Sequence, residues 1–191
     1  HVLMKFFEKV SKWAHGKNII VAHDCTYSDI VFDGYKAHSF LEVKEARDNG
    51  IEFHTLSKSY NMAGWRIGFV VGNAAILKTL GKTKSYLDFG IFRAVQEAAI
   101  AALEGPQDHV TKMVKLYQER RDVLVDGLNE IGWKTEKPKA TFYVWTRIPA
   151  KYSALTALEF ATLLVDEIGV AVAPGTGFGD YGEGFVRFAL V

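Results

Sequence analysis

Short, almost purely apolar runs alternate with stretches of helical periodicity, and that alternation restricts the chain to layered α/β architecture. Leu3, Phe6, Phe7, Val10 and Trp13 recur at helix spacing, and Gly16-Lys17 ends the helix they predict. Residues 18–23 follow as a nearly continuous apolar run, the pattern of a strand in a parallel sheet covered on both faces. After a polar loop with Asp33-Gly34, a short helix is expected over residues 41–47, stopped by Asn49-Gly50. Residues 51–56 and 66–71 read as further strands, and residues 74–84 and 89–104 as helices, the second ended by Gly105-Pro106. From Asp108 the character changes. A long amphipathic helix over 110–131 is closed by Gly132, then come a strand at 141–146, a helix at 157–168, a short strand at 170–173 and a strand at 185–190. The change divides the chain into residues 1–105 and 106–191.

Composition removes several function classes. With 49% hydrophobic residues the chain is neither a disordered tail nor a collagen-like repeat. Its 23 Lys+Arg nearly balance 22 Asp+Glu, and no basic run reaches five, so neither nucleic acid nor an acidic membrane is an expected partner. Cys25 is the single cysteine, which forbids an internal disulfide and cannot build a thiolate metal site alone. His15, His23, His38, His54 and His109 lack metal-ligand spacing, so no metal is expected. The longest apolar runs fall far below the roughly 18 residues of a membrane span. Lys5, Glu8, Lys9 and Lys12 interrupt the opening helix, unlike a signal peptide. A soluble, cytoplasmic protein is the expectation. The chain opens on His1 inside a helical pattern and closes on an apolar strand, so both ends read as cuts through a larger fold, and the chain as a fragment.

Three features point to chemistry: Asp24-Cys25-Thr26-Tyr27 at one strand end, Thr55-Leu56-Ser57-Lys58-Ser59 at another, and Arg66 eight residues beyond Lys58. Ligands of open α/β sheets bind outside the carboxyl ends of strands. From pattern alone an Asp facing a Lys is more often a structural ion pair, but the spacing of Ser57, Lys58 and Arg66 shifts the balance. Gly175-Thr176-Gly177-Phe178-Gly179 is glycine-rich yet leads to no helix, so it does not read as a phosphate loop.

The run Ser57-Lys58-Ser59-Tyr60-Asn61-Met62-Ala63-Gly64-Trp65-Arg66-Ile67-Gly68 strongly resembles the lysine segment of class I/II aminotransferases, the fold type I pyridoxal-phosphate enzymes. The resemblance extends upstream through Asp24 and Tyr27. Downstream it reaches the 174–179 turn and Arg187, so it spans almost the whole chain and matches the family's carboxyl-terminal half or slightly more. Residues 61–72 and 87–92 look most like the branch holding LL-diaminopimelate, alanine and aspartate aminotransferases. The resemblance implies part of a large domain with a mainly parallel α/β/α sheet, followed by a smaller α+β domain. It implies pyridoxal 5'-phosphate as cofactor, held in a Schiff base on Lys58, which then works as acid and base. It places Asp24 at the pyridine nitrogen, Tyr27 at the ring oxygen, and Arg66 at the phosphate with Ser57 or Thr55. Arg187 is implied to bind the substrate α-carboxylate. Amino acids and 2-oxo acids are the implied substrates, in a homodimer. Two alternatives stay open: a pyridoxal-phosphate lyase or synthase on the same fold, and an aminotransferase-like sensor domain of a transcription regulator.

Overall fold

Phe7, Ser11 and Ala14 lie on the buried face of α1 (Met4–His15). Phe7 packs with Phe40, Val43 and Ala46, and Met4, Val10 and Val21 close around that cluster. The helix is thereby laid against a sheet. This computed structural model describes residues 3–191, which divide between Lys112 and Met113 into two compact units. Among the described residues no helix is long and apolar enough to cross a membrane.

The first unit is built on β1 (Val21–Asp24), β2 (Gly50–Thr55) and β3 (Gly68–Gly72), in the order β1-β2-β3. β1 and β2 run parallel, with Asp24 opposite Phe53; β3 runs antiparallel to β2, with Gly68 opposite Thr55. The apolar run expected from residue 18 becomes a strand only at Val21, because Asn18 turns the chain with φ 52°. The helix expected over 41–47 is instead two 3-10 turns, Phe40–Glu42 and Lys44–Asp48. Val43 between them is extended (φ −74°, ψ 124°), so no α-helical ladder can pass through it. A capping box fixes the first turn: Leu41 N–H donates to Ser39 Oγ, and Ser39 N–H donates to Glu42 Oε1 at 2.8 Å.

A one-turn helix, α2 (Leu56–Ser59), follows β2, and α3 (Ala74–Asp88) and α4 (Arg93–Glu104) follow β3. Asn73 caps α3, accepting from Ala75 and Ile76 N–H. A second cluster of Leu56, Met62, Ile67 and Ala99, with Ile91, Val95, Ala98 and Ala102, seats α4 against the segment between β2 and β3. Tyr86, Leu87, Phe89 and Phe92 stay exposed around the end of α3. The division between the units falls within α5 (Asp108–Glu130).

The second unit holds β4 (Tyr143–Arg147), α6 (Ala157–Ile168), β5 (Ala173–Pro174) and β6 (Phe185–Ala189), with an antiparallel sheet ordered β4-β6-β5. Alternation sorts its two faces. Val144, Thr146, Val186 and Phe188 point into the core, where Trp133 meets Phe160 and Phe188 edge-on, each at 5.5 Å. Tyr143, Trp145, Phe185 and Arg187 take the other face, Trp145 directly opposite Arg187. Between β5 and β6 the turns Gly175–Phe178 and Asp180–Gly182 cross so closely that a Cβ on Gly182 would sit 2.0 Å from the Gly175 carbonyl oxygen. Gly182→Ala is therefore expected to cost roughly 1–3 kcal/mol, as overpacking does, and to lower the thermal midpoint. An unchanged midpoint would contradict the close approach.

Candidate active site

Register alone brings the chemistry of the first unit to one edge of its sheet. Because β1 and β2 are parallel, Asp24 and Thr55 end neighbouring strands at the same side; because β3 is antiparallel, it begins there with Gly68. Lys58 lies three residues beyond the end of β2, and Arg66 two residues before β3. Asp24, Ser57, Lys58 and Arg66 thus all lie at or just beyond the carboxyl edge of a parallel strand pair, the edge where α/β sheets take ligands.

The residues flanking Lys58 anchor its turn. Leu56 and Ser59, on either side, are each 1% exposed, and Lys58 is half-buried. Burying a side chain such as Leu56 stabilises by about 1.5–3 kcal/mol, which anchors the single turn of α2 against α4. Thr55 starts that turn by accepting from Ser57 N–H at 3.1 Å, and its hydroxyl donates to Ile67 O at 3.3 Å. Leu56 N–H also donates to Ile67 O, closing the loop back onto the start of β3.

Asp24 is exposed, and among the described residues its carboxylate accepts only from the Thr26 hydroxyl. Tyr27 sits half-buried in the turn that follows. Arg66 is exposed with φ 52°, the left-handed region, and its Nη1 donates to Ala63 O at 2.9 Å. A non-glycine residue held there costs on the order of 1–3 kcal/mol and is found preferentially where ligands are gripped.

In the second unit Arg187 is half-buried, with its Cζ 3.9 Å from the centroid of the Tyr143 ring and 4.2 Å from that of Phe178. No Asp or Glu among the described residues pairs with it.

The family description Aminotransferase class I and II matches residues 4–190. The chain belongs to the class I and II aminotransferase family. It is 55% identical over 190 residues to the glutamate-pyruvate aminotransferase AlaC of Escherichia coli K12, covering 100% of this chain and 46% of that protein. It is 51% identical over 186 residues to an LL-diaminopimelate aminotransferase of Desulforudis audaxviator, covering 97% of this chain and 47% of that one. The solved structure of a probable N-succinyldiaminopimelate aminotransferase from Thermus thermophilus superposes with a TM-score of 0.91 at 37% identity, over 100% of this chain and 50% of its own. The chain spans about half the length of the relatives it matches.

Behind the site of this aminotransferase-family chain lies a group that sequence reasoning missed. Glu52, in the middle of β2, is 2% exposed. Its Oε1 is 2.7 Å from His23 Nδ1 and accepts from Phe40 N–H at 2.6 Å; its Oε2 accepts from Ser39 Oγ at 2.8 Å and lies 3.4 Å from His54 Nε2. Burial by itself would push this carboxyl up. The hydrogen bonds from His23, Ser39 and Phe40 outweigh burial and bring it down to about 2. Cys25 is pushed the other way, up to about 11, by its burial and by the Glu52 charge, so it stays a thiol. His23, Cys25 and Glu52 place ligand-type atoms within 4.8 Å of one another. Both Glu52 oxygens are already hydrogen-bonded and the thiol is protonated, an arrangement that opposes cation coordination. The signal for Glu52 was an acidic residue between Ile51 and Phe53; its partners lie 29 and 12–13 residues away and are visible only in the fold.

Proposed function

We propose that the protein containing this chain is a pyridoxal-phosphate-dependent aminotransferase that moves an amino group between an amino acid and a 2-oxo acid. The observation that carries this is the placement of Asp24, Lys58 and Arg66 at one edge of the β1-β2-β3 sheet. Those residues fit the cofactor in kind: an exposed carboxylate, an amine on a one-turn helix, and an exposed guanidinium on a left-handed backbone residue. When bound, the cofactor supplies an electron sink for the substrate Cα.

The chain's own residues do the rest. Asp24 holds a proton on the pyridine nitrogen through a charge-assisted hydrogen bond. The Tyr27 hydroxyl donates to the ring oxygen. Arg66 binds the phosphate, for which a planar guanidinium offers parallel N–H donors. Ser57 is the better hydroxyl partner for that phosphate, since the Thr55 hydroxyl is engaged with Ser57 N–H and Ile67 O. Lys58 Nζ anchors the cofactor and moves the proton at the substrate Cα, and Arg187 receives the α-carboxylate. A homodimer in the cytoplasm is part of the same reading; the exposed Tyr86, Leu87, Phe89 and Phe92 support the dimer, as apolar side chains suited to a second copy.

Borohydride reduction of the cofactor-loaded full-length protein tests the assignment. Digestion should find the cofactor on the peptide containing Lys58, and incubation with a donor amino acid and a 2-oxo acid should yield a new amino acid. Attachment at another lysine overturns the site; release of ammonia with a 2-oxo acid, or a cyclised product, makes the protein a lyase or synthase.

A further inference from the structure

Arg187 lies half-buried on the face of β6 turned away from Val186 and Phe188, opposite Trp145 on β4. Such a cation ordinarily needs a carboxylate partner. Among the described residues it has none, and its neighbours are rings: its Cζ lies over Tyr143 at 3.9 Å and over Phe178 at 4.2 Å. Both distances are well inside cation–π range.

The rings come from two different places. Tyr143 belongs to β4, on the same face as Arg187 and two residues from its cross-strand partner Trp145. Phe178 ends the turn Gly175–Phe178, which the crossing of Gly175 and Gly182 fixes, and Trp145 backs it edge-on at 5.7 Å. We propose that Tyr143 and Phe178 are positioning residues that hold the Arg187 guanidinium as a fixed fork for a substrate carboxylate. This rests on the reading of Arg187 given above.

The choice of rings over an acid has a physical reason. An Asp or Glu would occupy the very N–H donors that a substrate carboxylate needs, and the two anions would compete. A π-face attracts the cation through its flat side and takes no N–H, leaving the edge free for two parallel bonds. Arginine also carries many rotamers, and ordering it on binding weakens affinity. Stacking orders it beforehand, so the carboxylate meets a group already in place.

The test uses the full-length holoenzyme with Tyr143→Leu, Phe178→Leu, Tyr143→Phe and Arg187→Ala. Two quantities are read: KM against kcat for an amino donor, and the dissociation constant of propionate by NMR titration, which involves no turnover. Either leucine variant should weaken propionate and raise KM by about 5–10-fold, with kcat moving far less. Tyr143→Phe, which keeps the ring, should stay within about twofold. Phe178 is 53% exposed, so its truncation leaves the core intact. In the Arg187→Ala background the same truncations should change propionate affinity no further, because the rings act only through the arginine. Losses that persist undiminished without Arg187, or no loss in its presence, overturn the clamp. If Arg187→Ala itself leaves propionate binding and KM unchanged, the carboxylate role of Arg187 fails first, and the two failures are told apart.

Discussion

Lys58→Ala in the full-length protein is expected to reduce turnover by about 10,000-fold or more while leaving the α2 turn folded. The two halves of that expectation come from different atoms. Packing of α2 resides in Leu56 and Ser59, both essentially sealed from solvent, and in the Thr55 hydroxyl that starts the turn. None of these contacts uses the Lys58 amine. The amine is assigned two chemical tasks: covalent anchoring of the cofactor and proton transfer at the substrate Cα. A positioned acid–base group alone contributes roughly 100- to 10,000-fold, and loss of the covalent anchor adds to that. Steady-state kinetics with a thermal melt on the same sample separates the cases. A small exogenous amine such as methylamine should restore part of the proton-transfer rate in the variant. Turnover within tenfold of wild type would remove Lys58 from the reaction.

How much of this arrangement was readable in the sequence differs from element to element. The strands and helices appear in the expected order because most apolar runs begin or end at a glycine, asparagine or proline. The residues at the sheet edge were legible because a strand end, a lysine turn and an arginine lie within a few dozen residues of one another. Two things were not. The stretch 40–48 has helical spacing, yet local capping by Ser39 and Glu42 and an extended Val43 break it into 3-10 turns. The setting of Arg187 depends on cross-strand register and on a glycine crossing, which join residues 143, 178 and 187 from three separate segments. Periodicity reports which residues share a face of one element; it registers neither the cap and extended residue that break 40–48 locally nor the cross-strand register that sets Arg187.

Glu52 is the sharpest example, and its removal is the second large effect to expect. Three donors, His23 Nδ1, Ser39 Oγ and Phe40 N–H, converge on its two oxygens, with His54 Nε2 close by. Glu52→Gln keeps the volume but offers one oxygen and an NH2 group, so at least one buried donor faces another donor. Leaving a buried donor unsatisfied costs about 1–3 kcal/mol, or roughly 2–12 °C in thermal midpoint for a chain of this size. The pH dependence follows from the carboxyl's displacement from the ordinary 4.5 down to about 2. A group with a depressed pKa contributes stability that is fully present above its unfolded value and is lost as pH falls through its folded value. The Cys25 thiol, held neutral by its burial and by the Glu52 charge, adds no charge across that range. The stability gap between wild type and Glu52→Gln should therefore be widest above about pH 4.5, and close as the solution approaches pH 2. Thermal melts across that range measure it. Since His23 precedes Asp24 directly, and β2 leads into the Lys58 turn, loosening this network should also weaken cofactor retention in proportion. A variant that melts early above pH 4.5 yet holds cofactor as tightly as wild type would separate the scaffold from the site it supports.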